Sequence, residues 1–441
     1  MTKLKKALST YGLTMVVIGS CIGSGIFLTP SSIAKELPSP FLILLVWAIG
    51  GVIAISGALT YAELASRFPG AGGIYLFIRK AYGDLWGFLY GWAVMTIVTT
   101  GAIAALALAF ARYVSYLIPL DDWGVKLLAI AGIITLTIVN IFGVKFGDFL
   151  SSSFTGAKLV GILVVVGIGL WFGSAQLNPI EFSFELPASE ASGSMSIFTA
   201  IGLGLIGVVF SYGGFHHAAF LSAEAHNASR TVPKAMVIGA LTVSVVYILT
   251  NMGYLYLLPM PEIIGSSSLA ADAVTTIFKS GGIFVALLIA ISTLGTVGIY
   301  TMSAPRLYFA MAKDGFFFRQ IAHIHPRYGT PVNAILLQSA WSIVLLLFWG
   351  TFTKLVTFTV FAEWIFLSIA AASLFVFRSR DKDAKPAYKI KSFPLPPLIF
   401  IAICSFIILN TLINEYQEAL TGLAFLAVGI PVFYFFKKIN S

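Results

Sequence analysis

Long stretches without a charged residue constrain this chain more than any other feature of its sequence. A transmembrane helix needs about 20 mostly apolar residues, and eleven runs approach or exceed that length. They are residues 7–34, 37–62, 85–111, 127–144, 159–180, 191–223, 235–261, 280–305, 328–353, 392–414 and 419–436. A twelfth candidate, residues 352–377, carries Glu363 within it. The runs predict a chain that crosses a bilayer many times.

Composition excludes a soluble protein of this size. Of the 441 residues, 58% are hydrophobic and 10% are charged, whereas a soluble domain has about 25% charged residues. The apolar blocks are continuous and do not alternate with polar residues, which favours helices over the strands of a membrane barrel. We therefore predict an all-α polytopic membrane protein with 12 transmembrane helices.

The placement of lysine and arginine predicts the orientation. With the amino terminus inside, twenty of these residues fall in cytoplasmic segments. The four external ones are Lys35, Lys126, Lys279 and Lys354. The positive-inside rule then places both termini, residues 1–10 and 437–441, in the cytoplasm. Acidic residues fall outside at Glu181, Glu185, Glu190, Glu415 and Glu418. The net charge of +9 thus reflects topology, and we expect no nucleic-acid partner.

The amino terminus has the charge of a signal peptide, with Lys3, Lys5 and Lys6 before the first apolar run. No small-residue cleavage site follows, so we interpret that run as the first span. The two cysteines, Cys21 and Cys404, lie in predicted spans and suggest no disulfide. Metal-binding H-E-x-x-H and C-x-x-C and phosphate-binding G-x-x-x-x-G-K-[ST] motifs are missing from the sequence. We expect no metal, no cofactor and no ATP-driven pump.

Two predicted spans, the first and the sixth, are interrupted by glycine and serine. The interruptions cover residues 19–27 and 210–217. Such clusters break helices, although close packing of the G-x-x-x-G type is an alternative explanation. The sixth span follows the first after five crossings. Because five is an odd number, a second set of five spans would enter the membrane from the opposite side. Paired interruptions in an inverted repeat point to a transporter with its binding site at the midplane.

Several motifs occur in order between residues 8 and 378. They are Ile22–Phe27, Tyr61–Leu64, Pro69–Tyr75, Tyr82 with Gly83, Gly91 with Trp92, the loop residues Glu224, Asn227, Arg230 and Pro233, Val246–Asn251 with Tyr254, Ser292–Gly295, Arg306 and Lys313–Gly315. Together they resemble the amino acid–polyamine–organocation superfamily, and within it the L-type amino acid transporter branch. Gly298, Ala228 and the His216-His217 pair depart from that pattern and leave the side-chain specificity open.

The resemblance implies the fold of the bacterial leucine transporter, a five-plus-five inverted repeat with helices one and six broken. The repeats would span residues 11–173 and 193–378, and helices eleven and twelve would span residues 392–436. It also implies a sodium-independent amino acid transporter of the plasma membrane that works by alternating access, as an exchanger or facilitator. Proton-coupled symport stays open as an alternative. A membrane enzyme would need clustered catalytic groups, and a channel would need a polar ring; neither pattern is evident.

An amino acid zwitterion needs donors for its carboxylate and acceptors for its ammonium, and broken helices supply both. We expect the carboxylate at the N–H groups of Gly23, Ser24 and Gly25, although Ser24 has the alternative role of a small packing residue. The ammonium is expected at carbonyls next to the two breaks. The residues concerned there are Ser20, Cys21, Phe210, Ser211 and, within the second break, Gly213. Apart from Glu363, no acidic side chain accompanies these positions, which favours neutral substrates.

Three aromatic residues near the second break are candidate gates: Phe210, Tyr212 and Phe215. By resemblance Phe210 is the better of the three, and core packing is the alternative for each. Lys158, within predicted span five, is a candidate coupling residue because an intramembrane lysine is functional by default. In relatives such a lysine takes the place of a sodium ion between helices one, five and eight. Snorkelling to the interface is the alternative.

The remaining polar residues carry weaker expectations. We expect Arg112 to lie at the membrane interface and Arg306 to form a structural ion pair. His216 and His217 are expected to be core residues, with a ligand-binding role as the less favoured alternative. Glu363 has no partner that the sequence identifies. The external loop at residues 119–124 contains no cysteine, so no disulfide-linked glycoprotein subunit is expected. The predicted partners are the lipid bilayer and a small amino acid substrate.

Overall fold

The computed structural model describes residues 4–184, 196–348, 352–414 and 416–440, and helices joined by short connections make up most of them. Within these ranges, pairing between extended segments is limited to one bridge between Leu8 and Ala225. The all-α prediction is therefore confirmed. The helices are α1 Thr10–Cys21, α2 Gly25–Glu36, α3 Pro40–Arg67, α4 Ile74–Tyr82, α5 Asp84–Ala93, α6 Thr99–Ser115, α7 Asp122–Ile141, α8 Val144–Phe172, α9 Ile197–Tyr212, α10 His217–Phe220, α11 Ala228–Leu257, α12 Met260–Gly265, α13 Leu269–Thr275, α14 Gly281–Ser303, α15 Pro305–Lys313, α16 Val332–Phe348, α17 Phe352–Arg380, α18 Leu395–Asn414 and α19 Tyr416–Asn440.

Some sequence expectations fall outside the described residues. They are those on Lys3, Glu185, Glu190 and Glu415, the first residues of the amino-terminal tail, the start of the second repeat at residue 193 and the carboxy-terminal residue 441. The side chains of Lys354 and Glu418 are also outside the description.

Ten helical segments of the described chain are long and apolar enough to cross a membrane, counting α1 with α2, α5 with α6, and α14 with α15 as single crossings. The predicted sixth and ninth spans correspond to α9 and α16, which are apolar but only 16 and 17 residues long. At 1.5 Å per residue, α9 is about 24 Å long. The apolar run at residues 191–223 is therefore divided by the break after Tyr212, as the glycines in it predict.

The helices begin where the sequence offers a cap. Ser9 accepts a hydrogen bond from the N–H of Gly12 at the start of α1, and Asp121 accepts one from Gly124 at the start of α7. Side-chain oxygens at this position satisfy N–H groups that have no partner within the helix. These caps fix the first residues of α1 and α7.

The two interrupted segments lie at the centre of the molecule. Helix α1 packs against α8, α11 and α14, and α2 packs against α9. Helices α18 and α19 lie outside this centre, against α3, α5 and α17. Large apolar side chains are exposed on the outer helices, for example Trp171 on α8 and Tyr434 on α19. An apolar periphery around a core with polar groups suits a protein surrounded by lipid.

Candidate functional site

The first break separates α1 from α2 at residues 22–24. Helix α1 closes with a hydrogen bond from the N–H of Ile22 to Ile18 O, and Ile22 then leaves the helical conformation. The N–H of Gly23 donates to Cys21 O at 2.9 Å. The N–H groups of Ser24, Gly25 and Ile26 have no backbone acceptor in the described chain. Three donors at a helix start are therefore left for a ligand, and Gly23 is not among them.

The Ser24 side chain adds a fourth unused group. Ser24 is fully buried, yet its Oγ has no hydrogen-bond partner in the described chain. A buried hydroxyl without a partner costs free energy, of the order of 1–3 kcal/mol. Its position at the start of α2, beside the three N–H groups, suits an acceptor such as a carboxylate.

The second break, residues 213–216, lies directly against the first. Gly214 has φ of +105°, and a Cβ there would approach Ser20 O at 2.8 Å, so only glycine fits. Ser20 Oγ donates to Gly214 O at 2.8 Å, and Cys21 Sγ lies 3.4 Å from Tyr212 O. The structure thus brings the two predicted breaks together, although about 190 residues separate them in sequence.

Tyrosines from two other helices reach the carbonyls at the breaks. Tyr247 Oη on α11 lies 2.8 Å from Cys21 O and 2.9 Å from Ser211 O. Tyr300 Oη on α14 lies 3.3 Å from Ser20 O. Each hydroxyl has one hydrogen and each carbonyl two lone pairs, so acceptor capacity is left for an ammonium. Sequence reasoning noted Tyr247 only within a motif and missed Tyr300.

Lys158 reaches across from α8 to the end of α1. Its Nζ lies 3.0 Å from Gly19 O, 2.6 Å from Ile22 O and 3.0 Å from Ser292 O, with Thr296 Oγ1 at 2.9 Å. The residue is fully buried, which is incompatible with snorkelling. An ammonium has three hydrogens, so these four oxygens fill its shell. The lysine ties α1 to α8 and α14.

The three candidate gates differ in their surroundings. Tyr212 is fully buried, donates to Trp47 O at 3.1 Å and packs against Tyr247. Phe215 is fully buried and stacks on Tyr61, with ring centroids 5.8 Å apart. Both are core residues in this structure. Phe210 is half-buried and stays the candidate.

The two histidines face different partners. His217 Nδ1 lies 2.6 Å from Ser303 Oγ, and its ring stacks on Tyr300 at 4.3 Å. His216 Nε2 lies 3.4 Å from Glu363 Oε1. The structure therefore supplies the partner of Glu363 that the sequence did not identify. It also brings an acidic group to the second break, which removes the reason for expecting only neutral substrates.

A cavity of about 570 Å³ opens beside α2, at the end of the bundle away from α1. Its walls come from α2, α6, α9 and the segment before α13; the polar lining residues include Thr29, Ser32, Glu36, Arg112 and Tyr113. Thr29 Oγ1 lies 3.2 Å from Ser211 Oγ, so the cavity reaches the second broken helix.

The opposite end of the bundle contains buried ion pairs. Glu63 on α3 pairs with Arg67 at 2.9 Å and with Arg378 of α17 at 2.5 Å. Glu224, after α10, pairs with Arg306 of α15 through two nitrogen–oxygen contacts of 2.8 and 2.9 Å. The predicted ion pair of Arg306 is present. These pairs join α3 to α17, and the segment after α10 to α15, at this end of the bundle.

Breaking the Glu224–Arg306 pair should destabilise the fold. Both side chains are almost completely buried, so Arg306→Leu leaves a carboxylate without its partner, at a cost of about 3–5 kcal/mol. We expect a clear fall in the thermal unfolding temperature of detergent-solubilised protein. Arg319→Leu, at an exposed position, is the matched control. Equal unfolding temperatures for the two variants would contradict a stabilising role.

Comparison with known proteins agrees with this geometry. The sequence pattern of the amino acid permease family matches residues 8–434. The chain belongs to this family. The serine/threonine exchanger SteT of Bacillus subtilis (strain 168) is 32% identical over 99% of this chain and 98% of that protein. The b(0,+)-type amino acid transporter 1 of Mus musculus is 29% identical (98% and 88%), and the Homo sapiens cystine/glutamate transporter 26% identical (98% and 86%).

Family membership confirms the resemblance read from the motifs. The relatives are amino acid transporters, as expected for a chain that is not an enzyme. A permease of this family takes a small-molecule substrate and is a multi-pass membrane protein. One departure from the L-type pattern has a local explanation. Gly298 faces Leu136 of α7 and accepts a hydrogen bond from Asn140, so it lies away from the breaks.

Proposed function

We propose that this permease exchanges L-amino acids, neutral ones among them, across the plasma membrane without sodium, by alternating access. The observation that carries the proposal is the junction of the two breaks. Unpaired N–H groups at the start of α2 lie near carbonyls at the ends of α1 and α9. A zwitterion needs this combination of donors and acceptors, and helix ends provide it without free charges in the membrane.

In the proposed site, the carboxylate binds Ser24 Oγ and the N–H groups of Ser24, Gly25 and Ile26. The ammonium binds carbonyl oxygens of Cys21 and Ser211, displacing or sharing the hydroxyl of Tyr247. Phe210, half-buried beside Ser211, would close over the substrate. The cavity along α2 supplies the entry path from one side.

The fold proposed for this function has twelve spans, with α9 and α16 crossing the membrane in addition to the ten longer segments. Each proposed repeat begins with a broken segment, α1–α2 or α9–α10, and continues into a long helix, α3 or α11. This correspondence supports the five-plus-five inverted repeat. Both termini would be cytoplasmic, because lysine and arginine are concentrated at that face.

We favour exchange over proton symport because a relative that is 32% identical to this chain is a serine/threonine exchanger. The proposed carrier works without a disulfide-linked subunit. Its two cysteines, Cys21 and Cys404, are both buried and free, so neither thiol is accessible to a partner chain.

Transport should not require sodium. The oxygen cluster of Gly19, Ile22, Ser292 and Thr296 already holds the ammonium of Lys158, which leaves no room for a second cation. In proteoliposomes preloaded with unlabelled amino acid, replacing external sodium with choline should leave uptake nearly unchanged. Uptake into proteoliposomes that contain no internal amino acid tests exchange, because an exchanger needs an internal amino acid to release for each one that it takes up. Loss of most uptake in choline would contradict sodium independence.

A further inference from the structure

Glu363 of α17 is an acidic residue in the middle of a helix bundle, and its surroundings are unusual. The nearest base is His216, with its Nε2 3.4 Å from Glu363 Oε1, longer than the usual range of about 2.7–3.2 Å for N–H···O hydrogen bonds. The described chain provides no other hydrogen-bond donor or cation at salt-bridge distance. The lysine nearest the breaks, Lys158, is held by other oxygens. The carboxylate therefore lacks a close hydrogen-bond donor or cation among the described residues.

The side chain of Glu363 touches an internal space, not lipid. It is 12% exposed, whereas Val360 and Leu367, which share its face of α17, are 2% and 0% exposed. The preceding and following residues, Ala362 and Trp364, are fully buried. A lipid-facing glutamate would have exposed neighbours on the same face, so the accessible part of Glu363 faces the inside of the helix bundle.

That internal space adjoins the proposed amino acid site. A Cβ on Gly213, in the second break, would lie 4.0 Å from Glu363 Oε2. The ring of His216, beside the carboxylate, lies 4.8 Å from the ring of His217, which stacks on Tyr300 at 4.3 Å. Cys21 ends α1, and Tyr300 donates to Ser20 O. Glu363 thus faces the junction of the breaks from a third side.

We propose that Glu363 is a specificity-determining residue that binds the positively charged end of a substrate side chain. This inference rests on the proposed amino acid site at the breaks. A carboxylate in a low-dielectric interior is costly unless a cation accompanies it, and the described residues supply only His216. An amino acid with a side-chain ammonium or guanidinium, anchored at the breaks, would bring the missing cation. The permease then accepts cationic as well as neutral amino acids.

His216 has a positioning role in this proposal. It is 2% exposed and packs edge-on against Phe215 and Phe220, so its ring is held firmly. Its Nδ1 has no hydrogen-bond partner in the described chain, which leaves Nε2 as the atom directed at Glu363. A neutral imidazole directed at the carboxylate through Nε2 places a polar group beside it without cancelling its charge.

The test compares L-lysine with L-norleucine, which has the same side chain without the ammonium. Exchange is measured in proteoliposomes for wild type, Glu363→Gln and, as a control, Glu262→Gln on the exposed face of α12. We expect Glu363→Gln to raise KM for lysine by roughly tenfold to a hundredfold, because a desolvated charge pair is lost. KM for norleucine should stay within about threefold, since its contacts are unchanged. The control should resemble wild type for both substrates.

Three outcomes would overturn the inference, and they separate it from the proposed function. If the wild-type protein exchanges norleucine but not lysine, the proposed amino acid site stands and Glu363 does not bind a substrate cation. Equal losses for both substrates in Glu363→Gln assign that residue to folding or proton transfer. Absence of exchange with either substrate, and with alanine, removes the proposed function itself.

A second pair of variants tests the positioning role. His216→Gln keeps a donor near Glu363 and should retain lysine selectivity, whereas His216→Leu should raise KM for lysine and not for norleucine. If the two variants behave alike, His216 does not position the carboxylate.

Discussion

Replacing Lys158 with alanine should nearly abolish transport while leaving a folded protein. The substitution removes a charge and three donors from the oxygens of Gly19, Ile22 and Ser292. The hydroxyls of Ser292 and Thr296 also contact the carbonyls of Gly19 and Ile22 and compensate part of the loss. A buried carbonyl that is left without a donor costs about 1–3 kcal/mol. Because the contact joins α1 to α8 and α14, its loss should shift the populations of the states that the carrier visits. The conformational steps that return the carrier to its starting state should slow most.

The measurement is flux in proteoliposomes together with substrate binding by calorimetry on the same preparation. We expect a large fall in turnover with a smaller change in binding affinity, because Nζ contacts the end of α1 and the middle of α14 and not the proposed substrate position. Lys158→Arg should not rescue transport, since the planar guanidinium does not fit the same four oxygens. Lys145→Ala, at an exposed position of the same helix, is the matched control. Normal flux in Lys158→Ala would leave the lysine a purely structural role.

Enlarging Gly25 by a single methyl group should remove amino acid binding. A Cβ on Gly25 would lie 2.8 Å from both Cα and Cβ of Ser211, which is closer than such atoms approach. Since Ser211 belongs to α9, relief of the clash requires the two broken helices to separate. The N–H groups at the start of α2 and the carbonyls of α9 would then no longer fit one zwitterion.

Binding of L-alanine by calorimetry and exchange in proteoliposomes test Gly25→Ala. Gly167→Ala, in α8, is the control, because a Cβ there would meet no atom within 4 Å. The unfolding temperature of each variant shows whether the protein is folded. An independent measurement uses the substrate: amino acid amides lack the carboxylate and should compete poorly with wild-type uptake. Normal transport by a folded Gly25→Ala would place the substrate elsewhere.

Much of this site could be predicted because its signals are local in sequence. Glycine and serine within an apolar run weaken a helix wherever the chain packs, so the breaks after Cys21 and Tyr212 were predictable. Lysine within a span is costly unless oxygens surround it, so Lys158 was identifiable as a buried functional candidate. The all-helical fold followed from the lengths of the apolar runs.

Other residues could not be assigned, because their roles depend on the direction of a side chain. Tyr212 and Phe215 have the same sequence signal as Phe210, but packing against Trp47 and Tyr61 places them in the core. The hydroxyls of Tyr247 and Tyr300 reach the breaks only because α11 and α14 pack beside α1. Aromatic residues are frequent in every span, so composition does not distinguish these.

The sequence by itself determined that the chain crosses a membrane as helices, where two of them break, and that one helix carries a lysine within the membrane, since each depends on residues a few positions apart. The tertiary structure decided that Gly23 is already hydrogen-bonded, that Gly25 contacts Ser211, and that Glu363 meets His216. The hydrogen bond of Gly23 is local and follows from the backbone conformation that the break adopts. The other two contacts join residues far apart in sequence, and only the packing of helices sets which faces meet.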